Sequence, residues 1–360
     1  MSTVQVTHAL GSYPVYVEPG ALERLGLLVS EHLAGRRVAM IGDQTVLELY
    51  RGGRLGRTSW EGETLAFPAG ERSKTRETWA RLTDALLQRE FGRDSGLIAL
   101  GGGVAGDLAG FVAATYMRGL PYIQVPTTLL AMLDASVGGK TGVDTPEGKN
   151  LIGAFHPPVA VVADPKALGT LPEREYRGGL AEAVKHGLIA DREYFRWIER
   201  EVDALLRRDS AALEQLVRRS VEIKAEVVSG DEREAGRRAI LNAGHTVAHA
   251  IERATGYEVP HGEAVGLGLV AECELAVRLG IAAPALKERV EALLGRLGLP
   301  VRLPRPITGD ALLAAMSSDK KNRGARLRFS LPTALGESTS GRWTVEAGEE
   351  DVREALGAVS

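Results

Sequence analysis

The feature that most limits what this chain can fold into is a change of period. Up to about residue 165, short apolar runs alternate with helical patterns; beyond Pro172 only long amphipathic patterns follow. Residues 13–17, 38–41, 64–67, 96–100 and 122–125 read as strands, with 159–164 closing the series, and 21–34, 44–51, 73–90 and 103–117 read as helices. Strands that alternate with helices require a parallel, doubly wound sheet. The later helices are expected at 178–188, 193–208, 210–229, 239–254, 262–279 and 285–296. At 360 residues the chain is long for one core, so two domains are expected, 1–165 and 166–360, with a cleft between them.

Composition closes off several classes. A net charge of −3 gives no basic excess for a nucleic-acid backbone. No stretch of about 18 apolar residues could span a bilayer, and the N-terminus lacks the basic-then-apolar pattern of a secretion signal. A single cysteine, Cys273, excludes an internal disulfide and fits the reducing cytoplasm, the expected location. Neither nucleic acid nor a membrane is an expected partner.

Within the first half, Gly101-Gly102-Gly103-Val104-Ala105-Gly106 follows an expected strand and opens an expected helix. Glycines there let backbone approach a pyrophosphate, and the helix N-terminus favours its charge. The sheet is therefore read as Rossmann-like. The usual acid about 20 residues downstream is missing. Acids stand elsewhere: Asp43 at a strand end, Glu71 with Lys74 after the next strand, and Asp107 directly after the turn. A strand-end acid suits a ribose and would repel a 2′-phosphate, so NAD is expected rather than NADP. Residues 126–141 superficially resemble a phosphate loop, but position 134 is Asp where a Walker sequence needs Gly. Lys140 and Lys149-Asn150 flank a Gly/Pro loop and suit convergent donors to an anion.

The second half concentrates metal-ligand types. His245, His249 and His261 are three of only seven histidines, and the first two lie one turn apart on one helix face. A catalytic divalent ion takes about three His or carboxylate ligands and keeps one position open. This run supplies most of such a set, and Glu182, near Lys185 and His186, is a candidate anionic ligand. Lysine is also scarce: 44 basic residues include only nine lysines, and the three asparagines, 150, 242 and 322, sit beside lysine or histidine. A chain that defaults to Arg keeps Lys where a compact ammonium is needed.

Together these segments resemble the 3-dehydroquinate synthase family over almost the whole chain. The resemblance rests on the turn at 101–107, Tyr116-Met117-Arg118-Gly119, Pro126-Thr127-Thr128, Asp134 through Lys140-Thr141, and Gly148-Lys149-Asn150. It continues through Glu182 and Lys185, Glu234 and Arg238, Asn242 through Glu252, His261-Gly262-Glu263, and Asp319-Lys320-Lys321. It implies that a heptulosonate phosphate is oxidised transiently by NAD, loses phosphate, is reduced again and closes a carbocycle by an aldol step. It implies a metal, zinc first and cobalt second, held by Glu182, His245 and His261, with His249 facing substrate. It places Lys140, Asn242, His249 and Lys320 at the phosphate, with Arg118 reaching across a homodimer. It turns Lys224 and Arg238 toward the carboxylate, and Asp134, Asn150, Lys185 and Glu234 toward hydroxyls or the metal. For NAD it implies Asp43, Glu71, Lys74, Gly102, Gly103, Gly106, Asp107, Thr127, Thr128, Asp134, Lys140, Lys149 and Thr170. His186 and Ala243 depart slightly from the family pattern. The alternatives are another sugar-phosphate cyclase, of epi-valiolone or deoxy-inosose type, a metal-dependent polyol dehydrogenase, or an inactive NAD- or metal-binding regulator.

Overall fold

A computed structural model describes residues 2–9, 11–55, 60–231, 234, 236–317, 327–339 and 343–360. The elements run β1 (Ser2–His8), β2 (Gly11–Val17), α1 (Leu25–His32), β3 (Arg37–Asp43), α2 (Gln44–Arg51), β4 (Glu63–Phe67), α3 (Arg76–Gln88), β5 (Ser95–Gly101), α4 (Gly103–Thr115), β6 (Tyr122–Pro126), β7 (Lys140–Thr145), β8 (Gly148–Phe155) and β9 (Ala160–Ala163). There follow α5 (Glu173–Ala190), α6 (Arg192–Arg200), α7 (Val202–Leu206), α8 (Ser210–Ser229), α9 (His245–Ala254), α10 (His261–Arg278), α11 (Pro284–Arg296), α12 (Gly309–Ser317) and α13 (Glu349–Leu356), with four short strands between the last two helices.

The chain divides into two compact units. One comprises 1–172 with 210–229; the other comprises 173–209 with 230–360. The expected boundary at 165/166 assigned every later helix to the second domain. By contact, α8 instead sides with the first unit, because it packs on β1, β2 and the π-helical turn Ala131–Ala135.

The first unit is built on a seven-stranded sheet in the order β1-β2-β9-β6-β5-β3-β4. Every pairing is parallel except β1 with β2, which adds an antiparallel edge. Strands β5, β6 and β9 are buried at every residue, as a parallel sheet covered on both faces requires. Two elements were not expected. One is β1. The other is the antiparallel hairpin β7–β8, which pairs Lys140 with Phe155 where the sequence suggested a glycine hinge and a loop.

The order of β4-β3-β5-β6 has a functional consequence. From β3 the chain turns toward β4, and from β5 it turns the other way, toward β6. Loops leaving the carboxyl ends of β3 and β5 therefore diverge, and such a switch point opens the crevice where open α/β sheets bind ligands. Asp43 ends β3 and the glycine turn ends β5.

In the second unit, α5 and α10 are buried along most of their length. A helix covered on nearly all sides belongs in the middle of its unit. Helix α10 packs on α5, α9 and α11. The expected helix 239–254 is shorter than the pattern suggested: a 3-10 turn, Arg237–Asn242, and a left-handed Gly244 (φ 80°) precede it, so α9 starts at His245. Among the described residues, no helix is long and apolar enough to cross a membrane.

Candidate functional site

At the switch point of the first unit, Asp43 caps α2 by accepting from the Val46 N–H at 2.9 Å. Its carboxyl is raised above the ordinary range by burial, against the pull of its backbone donors. Across from it, a Cβ on Gly101 would lie 3.3 Å from Asp43 Oδ2, so the acid and the glycine turn share one corner. Helix α4 begins at Gly103 with Gly102 as its cap and no side chain capping it. Its first N–H groups are thus those a phosphate would use. Gly102 lies close against Thr128, whose methyl would be 2.9 Å from a Cβ there, and Gly106 against Gln124. Thr127 N–H donates to Gly101 O at 2.9 Å, and Thr128 Oγ1 accepts from Ala131 N–H at 3.2 Å. These residues fit a dinucleotide pyrophosphate.

Beside the turn lies a charge cluster. Lys74 is 3% exposed, and its Nζ is 2.6 Å from Asp107, 3.9 Å from Asp144 and 4.0 Å from Glu71. Burial pulls the lysine down, yet the three carboxylates outweigh it and hold the ammonium above its usual value. Burial pushes Asp107 up despite Lys74. Lys149 reaches Glu71 at 3.6 Å. Asp144 also accepts from Asn150 N–H at 2.8 Å. Asp144, an isolated acid on β7, belongs to no sequence motif that marks it for this cluster.

Other expected residues of this unit lie apart from that cluster or serve each other. Lys224 forms an ion pair with Asp134 Oδ1 at 2.8 Å and also donates to the Asp134 carbonyl. The π-helical turn that carries Asp134 offers both groups to one ammonium, and such turns recur at functional sites. Lys140 is exposed at the start of β7. Arg118 is exposed and left-handed (φ 68°), next to Met117 at φ 52°. Thr170 closes the 3-10 turn Pro165–Thr170, its hydroxyl donating to Ala167 O.

In the second unit, α5 buries Glu182, Lys185 and His186 at 0–1% exposure. Buried charge has to be paired. Glu182 makes a close ion pair with Lys185, but neither of its oxygens has an aligned hydrogen-bond donor. Instead, Oε1 lies 3.6 Å from His245 Nε2 and 3.9 Å from His261 Nε2. One ligand atom from each of these residues falls within 4.8 Å of the others. His245 Nδ1 is 3.3 Å from Ala243 O and donates to it, which leaves Nε2 as the ring nitrogen turned toward Glu182. His261 Nδ1 is 3.5 Å from Glu252 Oε2, the relation carboxylates hold to metal-bound histidines. A carboxylate and two imidazole nitrogens this close together have the composition of a divalent-metal donor set. His249 borders it, with ring centroids 5.7 Å from His245 and 6.3 Å from His261, but belongs to no ligand group.

Backbone contact makes this convergence possible. A Cβ on Gly262 would lie 2.3 Å from Gly178 O, so α10 meets α5 without side chains between them, beside His261 and one turn before Glu182. Upstream of α9, Asn242 donates to Glu234 at 2.6 Å. Asp231, which no motif marked, accepts from the N–H groups of Gly236 and Arg238 at 2.7 and 3.0 Å. Arg238 is 3% exposed. Lys320 lies outside the described residues.

Known proteins resemble this chain along nearly its whole length. A family model described as 3-dehydroquinate synthase N-terminal matches residues 64–178, and one described as 3-dehydroquinate synthase C-terminal matches 179–322. The 3-dehydroquinate synthase of Halorhodospira halophila is 51% identical over 347 residues, covering 96% of this chain and 97% of that protein. A structure of 2-deoxy-scyllo-inosose synthase complexed with carbaglucose-6-phosphate, NAD+ and Co2+ is similar at TM-score 0.88 and 25% identity, covering 99% of each chain. So is ValA, the 2-epi-5-epi-valiolone synthase of Streptomyces hygroscopicus subsp. jinggangensis with NAD+ and Zn2+, at TM-score 0.85 and 31% identity, covering 99% of this chain and 98% of that one.

Proposed function

The chain belongs to the 3-dehydroquinate synthase family, and on that premise we propose that it converts 3-deoxy-D-arabino-heptulosonate 7-phosphate to 3-dehydroquinate with NAD at the glycine turn and a divalent metal on Glu182, His245 and His261. The observation that carries the metal assignment is the approach of both histidine Nε2 atoms to one buried, donor-poor carboxylate. The similar cyclase structures name NAD+ with Co2+ or Zn2+, and zinc is the ion proposed here.

Glu182, His245 and His261 would hold the metal, which would lower the pKa of a substrate hydroxyl, and NAD at the glycine turn would accept the hydride whose removal acidifies the adjacent C–H for loss of phosphate, and would return it afterwards. The protein's own groups then divide the work of binding. Arg238 suits bidentate pairing with the substrate carboxylate, and Lys224 joins it from its station on Asp134. Asn242, His249, Lys140 and Lys320 bind phosphate, the last three as cationic or proton-bearing donors. Glu234 holds Asn242 and with Asn150 and Asp134 addresses hydroxyls. Lys185 offsets the charge of Glu182 in its buried setting. Arg118 completes the phosphate site of a second subunit in a homodimer, and the enzyme works in the cytoplasm.

Among rival cyclases, the carboxylate-facing pair Lys224 and Arg238 favours an acid substrate. The test is phosphate release by purified protein with NAD, from the heptulosonate phosphate and from sedoheptulose 7-phosphate, each with and without chelator. Chelator-sensitive release from the acid alone, with no net NADH, is the expected result. Release from sedoheptulose 7-phosphate alone would move the chain to the valiolone-type cyclases.

A further inference from the structure

Helices α9 and α10 share a symmetry of task. Each begins with a proposed metal ligand, His245 on one and His261 on the other. Each also carries, further along, one deeply buried glutamate: Glu252 at 3% exposure on α9 and Glu272 at 1% on α10.

The two glutamates reach across. Glu252 approaches the ring of His261, with Oε2 3.5 Å from Nδ1. Glu272 reaches the start of α9, where Oε2 accepts from Gly244 N–H at 2.7 Å and Oε1 from Val247 N–H at 3.3 Å. The first N–H groups of a helix lack partners within it, and a side chain at the cap usually supplies one. Here the cap is Gly244, which has no side chain. Glu272 supplies the missing acceptor from another helix.

That cap bears on His245 directly. The ring is fixed by Ala243 O, 3.3 Å from Nδ1, so its aim depends on how the backbone from 243 to 247 is held. Glu272 holds the middle of that stretch. Gly268, one turn earlier on α10, makes the reach possible: a Cβ there would sit 1.9 Å from Gly244 O.

We propose that Glu252 and Glu272 are positioning residues that form a reciprocal clasp, each helix fixing the metal-ligating histidine of the other. The clasp rests on the metal reading of Glu182, His245 and His261. It implies that the two ligands cannot shift independently, since moving α9 disturbs His261 through Glu252, and moving α10 disturbs His245 through Glu272.

The experiment uses full-length protein stripped of metal and titrated with Co(II). Affinity is read by competition with a chelator, and geometry by the visible absorption of the cobalt form. Wild type, H245A, E252Q and E272Q are compared, with folding checked by circular dichroism and by NAD affinity. The expected result is tight binding by wild type, its loss in H245A, and a 10- to 100-fold weaker affinity with an altered cobalt band in E252Q and E272Q. NAD affinity should stay unchanged in both. A role confined to helix stability would lower the melting temperature and leave the cobalt band as it is. Folded E252Q and E272Q with wild-type affinity and spectrum would overturn the clasp alone. Failure of wild type to bind cobalt, or full binding by H245A, would overturn the metal reading and the clasp with it. Should E272Q fail to fold, E252Q decides, because Glu252 meets the imidazole itself.

Discussion

Each unit buries an ionic cluster, and these two clusters are built in opposite senses. In the first, a cation sits at the centre: Lys74 among Asp107, Asp144 and Glu71. In the second, an anion does: Glu182, fully buried, among Lys185 and two imidazoles. Around Lys74 the protein answers its own charge, and the surrounding acids keep partial exposure, 21% for the side chain of Asp107. Around Glu182 the Nε2 atoms of two imidazoles approach the carboxylate at 3.6 and 3.9 Å, an arrangement that a divalent cation makes favourable. One cluster is complete in itself. The other has the donor set of the proposed metal site.

That contrast can be broken most sharply at Glu182. E182Q should reduce phosphate release at least about 1,000-fold, about 4 kcal/mol of transition-state stabilisation, while NAD affinity stays within about twofold. Full turnover by verified metal-free E182Q would end the assignment. The next largest effect is expected at Lys74. K74M leaves carboxylates facing one another and should cost about 2–3 kcal/mol in urea unfolding, short of the figure for a fully buried pair because Asp107 retains some solvent. Cobalt affinity should not change, and a fall in it would mean the clusters are coupled. The smallest effect belongs to Asp43. D43A removes the cap of α2, about 1 kcal/mol, and weakens NAD binding; unchanged NAD affinity would leave Asp43 a cap only.

Much of this could be read in the sequence, and the reasons for the exceptions are physical. The buried strands announced themselves as continuous apolar runs, and the glycine turn lies where strand and helix were expected to meet. The hairpin β7–β8 was hidden because glycines and exposed positions interrupt its alternation. His249 shows the limit of spacing. It shares a helix face with His245, yet the atoms that converge come from His245, His261 and Glu182 on three separate helices. Only packing brings Glu182 there, through the contact of Gly178 with Gly262. Asp144, Asp231 and Glu272 belong to no motif. Their partners are backbone N–H groups or a lysine far away in the chain, and no local pattern records such a bond.

The glycines of α10 carry a consequence for anyone who would engineer this protein. Replacing helical glycine by alanine is a standard route to greater heat resistance, since it removes freedom from the unfolded chain. At Gly262 and Gly268 that route is closed, because a methyl group would press into the backbone of the neighbouring segment at 2.3 and 1.9 Å. Thermal improvement has to be sought at helical glycines with space around them, such as Gly266 on α10, where a Cβ would meet nothing nearer than 3.8 Å, or Gly295 on α11, where it would meet nothing within 4 Å. Where two backbones touch, as at Gly262 and Gly268, the sequence has no such freedom left.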